Sequence, residues 1–210
     1  MNRWKNILLV TEYNFVAITK EEEMKVAGIA FFIGIVQFFL FMLLAELVYP
    51  NYSVSGNYIS DLGVGGTAYI FNTSIVVLGL LIIVTGYFIR KLSRPLLIIL
   101  ILAGIGAMGV GLFPETTGSP HLIFSLIVFL MASIAPYFLV VKIRNLMSVM
   151  WAILGTVGLI ALILYIPGIY LGLGHGGMER MIVYPDLLWG IGFGGWLIGN
   201  FSGKHVTLDH

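Results

Sequence analysis

The residues in this chain that could do chemistry are a serine and a set of carboxylates in a largely apolar background. Ser60 and Asp61 are adjacent in the stretch NYISDLGVGG. Glu179 and Asp186 are seven residues apart, which is two helical turns and places them on one face of a helix. We predict that these four residues form a catalytic set in which Glu179 or Asp186 acts as the general base.

Two histidines could join this set as metal ligands. His121 and His175, together with Glu115 or Asp61, would hold a divalent cation such as zinc, for which imidazole and carboxylate groups are ligands. Water bound to the metal would then be activated for attack on a substrate. In a second version Ser60 is the nucleophile and His121 is its base. The chain has no HExxH motif, so the spacing does not choose between the two versions.

Polar and aromatic residues near the same places could hold the substrate. Arg180 could bind a phosphate through two parallel hydrogen bonds. Structural roles stay open, because Asp61 could cap the second helix or form an Asx turn and Glu179 could form an ion pair with Arg180. The predicted substrate-binding residues are Asn57, Tyr58, Arg180, Tyr184 and Trp189.

The composition of the chain indicates a membrane protein. Of its 210 residues, 59% are hydrophobic and 10% are charged, and the mean hydropathy is +1.02. A soluble domain carries about 25% charged residues. The net charge of +1 and the lack of a basic stripe predict no nucleic-acid partner. Because the chain has no cysteine, disulfides and cysteine-bound metals are excluded.

Several stretches are long and apolar enough to cross a bilayer, whose core takes about 20 residues of helix. They predict an all-α fold, a bundle of six transmembrane helices at about 26–48, 67–89, 95–113, 121–141, 147–171 and 181–199. We divide the chain into a cytoplasmic or interfacial N-terminal segment (1–25), one transmembrane domain (26–200) and a cytoplasmic tail (201–210). The glycines of GLGHGG favour a loop before the sixth helix, whereas an earlier helix start would add His175 to the face of Glu179.

The distribution of charge predicts an orientation. Ten of the eleven lysine and arginine residues flank the side of the bundle that holds both termini. The positive-inside rule places that side in the cytoplasm. Ionisable groups are costly within a membrane and mark functional sites. We therefore predict a polar site at the outer side of the cell membrane, where Arg180 stands with five carboxylates, Glu46, Asp61, Glu115, Glu179 and Asp186.

Small residues at four-residue spacing predict close helix packing. Ala103, Ala107 and Gly111 form such a ladder in the third helix. In the sixth helix, Gly190 pairs with Gly194 and Gly195 with Gly199. We expect these faces to pack within the bundle, with a homodimer as the alternative.

Three stretches carry a family resemblance. They are NYISDLGVGGTAYIFN (57–72), GVGLFPETTGSPH (109–121) and GGMERMIVYPDLLWGIGFG (176–194). Together they resemble the prokaryotic integral membrane family catalogued as domain of unknown function 998, over about residues 26 to 200. The resemblance implies a prokaryotic membrane protein and brings no activity with it.

A second resemblance is more distant. The order YISDLG, then FN, then a histidine that opens a later helix is similar to the Frag1/DRAM/Sfk1 group of six-helix membrane proteins. That group includes a eukaryotic factor that remodels glycosylphosphatidylinositol lipids. Its ISD motif would correspond to residues 59–61 and its histidine to His121, whereas Leu62 departs from its glycine or threonine. By analogy, the resemblance implies a lipid-related function.

These observations lead to three hypotheses about function. An outward-facing pocket would bind a lipid headgroup or other amphiphile and, in an enzyme version, process it as a metal-assisted hydrolase or transferase. Alternatively, the polar cluster is structural, and the protein is a lipid-binding scaffold or a subunit of a larger membrane complex. A transporter is the third hypothesis, although the ionisable residues stop in the outer half, whereas transport paths carry them throughout. The expected partners are membrane lipids.

Overall fold

The structure, a computed structural model, describes the backbone of residues 2–201 and the side chains of residues 20–201. In this range the chain forms six α-helices, with short 3-10 turns in the loops and no strand. The helices are α1 (Asn2–Val48), α2 (Ala68–Phe88), α3 (Arg94–Leu112), α4 (Ser119–Ile143), α5 (Leu146–Tyr165) and α6 (Gly174–Asn200). The predicted all-α fold with six helices is confirmed. Most of the predicted C-terminal tail, 202–210, lies outside the described residues.

Each helix contains a stretch that is long and apolar enough to cross a membrane. The chain is therefore a multi-pass membrane protein. Three helix ends differ from the prediction. Helix α1 begins well before residue 26, α5 ends at Tyr165 rather than 171, and α6 begins at Gly174 rather than 181. The early end of α5 follows from Pro167 and from Gly168, whose φ of 78° does not continue a helix.

The helices form a closed ring. Each helix packs against its neighbours in the chain, and α6 packs against α1. Glycines let the backbones approach closely. A Cβ atom added at Gly28 of α1 would lie 2.8 Å from the carbonyl oxygen of Gly194 in α6. Likewise, a Cβ atom at Gly104 of α3 would lie 2.6 Å from the carbonyl oxygen of Gly79 in α2. The ring thus depends on positions where a side chain has no room.

Part of the predicted small-residue ladders packs inside this ring. Gly111 faces the backbone of α2, and Gly190 and Gly194 face α1. By contrast, Gly195 and Gly199 have no neighbouring atom within 4 Å of an added Cβ. Packing within the bundle therefore uses one of the two glycine pairs of α6, and the homodimer stays a prediction.

The two ends of the ring are built differently. At one end, short turns join α2 to α3 and α4 to α5, and Glu23 forms ion pairs with Arg90 and Lys91 at 3.3 and 3.1 Å. At the other end lie the three longer connections, residues 49–67, 113–118 and 166–173. We call this second end the loop end. It holds Ser60, Asp61 and Glu115, and the candidate residues of α6 begin there.

Candidate functional site

Two cavities meet at the loop end. The outer cavity, about 640 Å³, lies among the loops and the ends of α4 and α5. The inner cavity, about 90 Å³, lies among the helices and is lined mainly by apolar side chains. The residues that line both cavities are Ser60, His121, Ser125, Phe129 and Glu179. We call these five residues the junction.

Ser60 and Asp61 occupy a 3-10 turn, Ser60–Gly63, beside the outer cavity. The Asp61 carboxylate accepts hydrogen bonds from Asn57 Nδ2 at 2.8 Å and from the backbone N–H of Tyr58 at 3.0 Å. Ser60 Oγ donates to Glu115 Oε2 at 3.1 Å. Asp61 thus holds the preceding residues of the same loop and caps neither the 3-10 turn nor α2, whereas Ser60 joins the loop before α2 to the loop before α4.

Glu115 and Asp61 form a pair of interacting carboxyl groups. Burial, and then the hydrogen bond and charge of Asp61, raise the pKa of Glu115 above its ordinary value. The hydrogen bond from Ser60 acts in the opposite direction. Two adjacent carboxyl groups favour the protonated form of one of them. The hydroxyl of Ser60 thus faces a carboxyl group whose proton affinity is increased.

Glu179 links α6 to the same loop. Its side chain is only 5% exposed, and its Oε2 atom accepts from the backbone N–H of Ile59 at 2.6 Å. The glycines at the start of α6 make this contact possible. The Gly176 N–H donates to Ser55 O at 3.1 Å, and a Cβ atom at Gly176 would lie 2.7 Å from Val54 O. These glycines serve close packing, and α6 therefore begins earlier than predicted.

Arg180 is buried and fully engaged by the protein at both of its Nη atoms. Nη1 donates to three backbone carbonyls, those of Val54 at 2.9 Å, Asn57 at 3.3 Å and Gly176 at 2.9 Å. The partners of Nη2 are Glu46 Oε1 at 2.6 Å and Tyr52 Oη at 2.5 Å.

Through Nη1 and Nη2, Arg180 therefore holds the loop between α1 and α2 in place. Its ion-pair partner is Glu46, not Glu179 as one sequence hypothesis had it. Burial raises the pKa of Tyr52 to about 12, so its hydroxyl stays protonated and can donate to Tyr58 O at 3.1 Å. In this arrangement both Nη groups of Arg180 are used by the protein itself, whereas the buried Nε atom has no hydrogen-bond partner among the described residues.

The two histidines differ in their surroundings. His121 Nδ1 lies 2.8 Å from the backbone carbonyl of Phe113, and because a carbonyl oxygen only accepts, Nδ1 is the donor of this hydrogen bond. The ring of His175 packs against that of Tyr58 at a tilt of 46°, with the centroids 4.2 Å apart. It lines neither cavity.

The predicted metal ligands do not form a site together. Among residues 20–201, no three His, Asp or Glu side chains come together as a group that could hold a metal ion. His121 and Glu115 both line the outer cavity, but His175 does not. The geometry does not fit a zinc ion held by His121, His175 and Glu115.

Asp186 lies deeper, in the wall of the inner cavity. Its Oδ2 atom accepts from Ser133 Oγ at 2.9 Å, and its Oδ1 atom is buried without a partner. Trp189, one turn further along α6, also lines the inner cavity, and its Nε1 atom is buried without a partner. Tyr184 packs against Phe39 and lines neither cavity.

The predicted residues are thus distributed over both cavities. Glu115, predicted as a metal ligand, accepts the hydrogen bond of Ser60. Ser125, Phe129 and Tyr165 were not singled out, although each lines the outer cavity. Ser125 and Phe129 are ordinary residues of an apolar helix, and only the ring geometry shows that they face inwards.

Comparison with known proteins agrees with the membrane fold. Residues 32–195 match the family model described as "Protein of unknown function (DUF998)". No curated protein and no solved structure matches the chain. Since the match spans four of the six helices completely, together with most of α6 and most of α1's membrane-spanning part, the chain belongs to the DUF998 family of proteins of unknown function.

Proposed function

We propose that this membrane protein binds an amphiphile whose polar group lies in the outer cavity and whose hydrocarbon chain enters the inner cavity. The observation that carries the proposal is the junction, where one set of residues lines both a loop-end cavity that contains carboxyl, hydroxyl and imidazole groups and an almost wholly apolar cavity inside the ring. A molecule that fills both cavities must itself be polar at one end and apolar at the other.

The chemistry of the outer cavity favours a neutral or cationic polar group. Glu115 and Glu179 line it, and none of the described residues in its lining is lysine or arginine. The nearby guanidinium of Arg180 is already engaged by Glu46 and by backbone carbonyls. An anionic phosphate would therefore meet carboxyl groups with no cation to offset them. Hydroxyl or ammonium groups, by contrast, would donate hydrogen bonds to the oxygens of these carboxyl groups.

The inner cavity suits a hydrocarbon chain. A volume of about 90 Å³ has room for roughly six to nine water-sized groups. Its lining includes Phe31, Phe38 and Leu78, and cavities with such walls stay dry and take up apolar molecules.

Tryptophan fluorescence can test this proposal directly. Trp189 lines the inner cavity, whereas Trp151 is equally buried, at 2% exposed, and lines neither cavity. We expect a monoacylglycerol with a brominated acyl chain to quench a variant that keeps only Trp189, in a saturable manner, in detergent solution. A matched variant that keeps only Trp151 should not be quenched. Equal quenching of the two variants, or none, would contradict the proposal.

Filling the inner cavity should weaken binding. Ala107 is fully buried and lines the inner cavity, so the Ala107→Leu side chain would occupy its space. We expect the affinity for the monoacylglycerol to fall at least about tenfold, the equivalent of 1.4 kcal/mol. Ala152→Leu on α5 is the control, because Ala152 lines neither cavity. Equal affinities in the two variants would show that the chain does not enter the ring.

A second candidate function, cleavage of an ester in the bound amphiphile, is favoured by the contact between Ser60 and Glu115. In this reaction Ser60 Oγ would attack the ester carbonyl at the junction and pass its proton to Glu115. Glu115 would return this proton to the alcohol oxygen as it leaves, and water, giving a proton to Glu115, would then release the fatty acid and restore the Ser60 hydroxyl. The test is fatty-acid release from a monoacylglycerol by the purified protein.

We expect Ser60→Ala to abolish this release, whereas Ser125→Ala should retain it. Ser125 also belongs to the junction but donates to no carboxylate among the described residues. If the wild-type protein binds the monoacylglycerol without releasing fatty acid, it acts as a binding protein. Ser60 then serves only to join the two loops through its hydrogen bond to Glu115.

A further inference from the structure

Three tyrosine rings form one corner of the outer cavity. Tyr58 belongs to the loop before α2, Tyr165 is the last residue of α5, and Tyr170 lies in the loop before α6. The ring centroids of Tyr58 and Tyr165 are 6.2 Å apart with their planes at 76°, and those of Tyr165 and Tyr170 are 6.1 Å apart at 60°. We call these three rings the aromatic corner. A cation in front of it can lie within about 6 Å of more than one ring centroid, which is the range of cation–π attraction.

Contacts within the protein hold the aromatic corner in place. The ring centroid of His175 lies 4.2 Å from that of Tyr58 and 6.1 Å from that of Tyr170. His175 lines neither cavity, so it supports these two rings from outside the cavity. The hydroxyl groups of Tyr58 and Tyr170 also interact with each other. A ligand would therefore meet rings that are already ordered, which lowers the entropic cost of binding.

Carboxyl groups accompany the aromatic corner. Glu115 and Glu179 line the same cavity, and among the described residues that line it there is no lysine or arginine. Glu115 also interacts with Asp61, and two neighbouring carboxyl groups disfavour each other's ionisation. A cation bound in the cavity would offset that repulsion and favour the ionised forms. Aromatic rings and carboxyl groups thus both make this cavity attractive to positive charge.

The hydrogen bonds already present favour a methylated ammonium group over a primary one. A primary ammonium has three N–H donors, each of which needs an acceptor. Glu115 Oε2 already accepts from Ser60 Oγ, and Glu179 Oε2 already accepts from the backbone N–H of Ile59. A trimethylammonium group donates no hydrogen bond from nitrogen, and its methyl groups pack against aromatic rings.

We propose that the polar head of the amphiphile is a methylated ammonium group, held by the aromatic corner beside Glu115 and Glu179. This inference rests on the proposed function and names the chemical class of its ligand. The outer cavity, about 640 Å³, is within the range of about 300–1,000 Å³ that is usual for small-ligand pockets.

Displacement of the brominated monoacylglycerol can test the inference in the variant that keeps only Trp189, in a non-ionic detergent. The competitor is the hexadecyl ether of choline, whose ether link is not open to ester cleavage. Two matched compounds carry an uncharged tert-butyl group of the same shape, or a primary ammonium group, in place of the trimethylammonium group. We expect the choline ether to half-displace the probe at a micellar mole fraction at least about tenfold below that of the tert-butyl compound and at least about threefold below that of the primary ammonium compound.

Variants in the same background assign the preference to the rings. Tyr165→Leu removes a ring, so it should lose most of the preference for the choline ether and still bind the monoacylglycerol. Tyr165→Phe keeps the ring without its hydroxyl group and should retain the preference. Tyr137→Leu is the control, because Tyr137 lines neither cavity. Size-exclusion chromatography shows that each variant is folded, and Tyr170→Leu and Tyr170→Phe replace the Tyr165 pair where Tyr165→Leu does not fold.

The outcomes separate the two proposals. If the choline ether and the tert-butyl compound displace the probe equally, the cavity does not select a cation and this inference is wrong, while the proposed function stands. Equal displacement by the primary ammonium compound, or a preference that survives in Tyr165→Leu, would also overturn it. If the monoacylglycerol does not quench Trp189 at all, the proposed function fails and this inference fails with it.

Discussion

Arg180 holds together three parts of the loop end, and its loss should be costly. Its partners lie in α1, in the loop before α2 and in α6 itself. Arg180→Met would leave the Glu46 carboxylate and three carbonyls without their donor. We expect the free energy of unfolding in detergent to fall by about 3–5 kcal/mol, the usual cost of breaking a buried ion pair.

Arg90→Met is the matched control for this change. Arg90 pairs with Glu23 at 3.3 Å, but the two side chains are 30% and 22% exposed. A pair so accessible to water contributes about 0–1 kcal/mol. Similar unfolding midpoints for Arg180→Met and Arg90→Met would contradict the structural role assigned to Arg180.

Glu115 should make stability depend on pH. Its pKa is raised above 4.5 in the folded protein, chiefly by burial. As the pH rises above 4.5, the unfolded chain loses this proton first, so the folded state becomes relatively less stable until Glu115 also ionises. We expect Glu115→Gln to flatten the fall in melting temperature over this window. Glu21→Gln, at an exposed position in α1, serves as control, and profiles parallel to wild type for both variants would contradict the assignment.

The residues of the site could be predicted only in part. A carboxylate in an apolar run is visible in the sequence, and Asp186 was found in that way. The partners of Arg180 were not, because Glu46 and Tyr52 are 134 and 128 positions away in the chain. Periodicity gives the face of a helix, whereas the contact between distant residues depends on how the ring closes.

The helices themselves were predicted well because length and apolarity determine a membrane span. Their ends were predicted less well. The glycines from Gly172 to Gly177 indicated a loop, yet α6 begins at Gly174 because Gly176 lets the backbone of residues 54–57 pack against it. A glycine in a membrane protein can mean close packing as well as flexibility, and the sequence alone does not distinguish the two.

Contacts between helices at glycine should be sensitive to any added side chain. A Cβ atom at Gly79 would lie 2.6 Å from Met108 Cγ and 2.8 Å from Met108 N, so α2 and α3 would have to separate. We expect Gly79→Ala to lower the free energy of unfolding by about 1–3 kcal/mol. Gly195→Ala is the control, since nothing lies within 4 Å of its added Cβ, and alanine favours a helix. Equal melting temperatures in the two variants would argue against a tight contact between α2 and α3.

The whole molecule is a ring with two unlike ends, and its function depends on which end faces outwards. Ten of the eleven lysine and arginine residues predict that the loop end lies outside. Because the chain has no cysteine, any introduced thiol is unique. We expect a membrane-impermeant maleimide to label Thr116→Cys, at the loop end, in intact cells. It should label Lys91→Cys, at the other end, only after the cells are permeabilised.

The reverse labelling pattern would place the loop end in the cytoplasm. The orientation matters for the ligand, since the outer cavity is lined by Glu115 and Gly118 beside the labelled position and the inner cavity is reached through it. With Thr116 outside, the amphiphile would enter from the outer leaflet or from beyond the cell. With Thr116 inside, the same cavities would take it from the cytoplasmic leaflet, and the supply of ligand would have to come from cellular lipid synthesis.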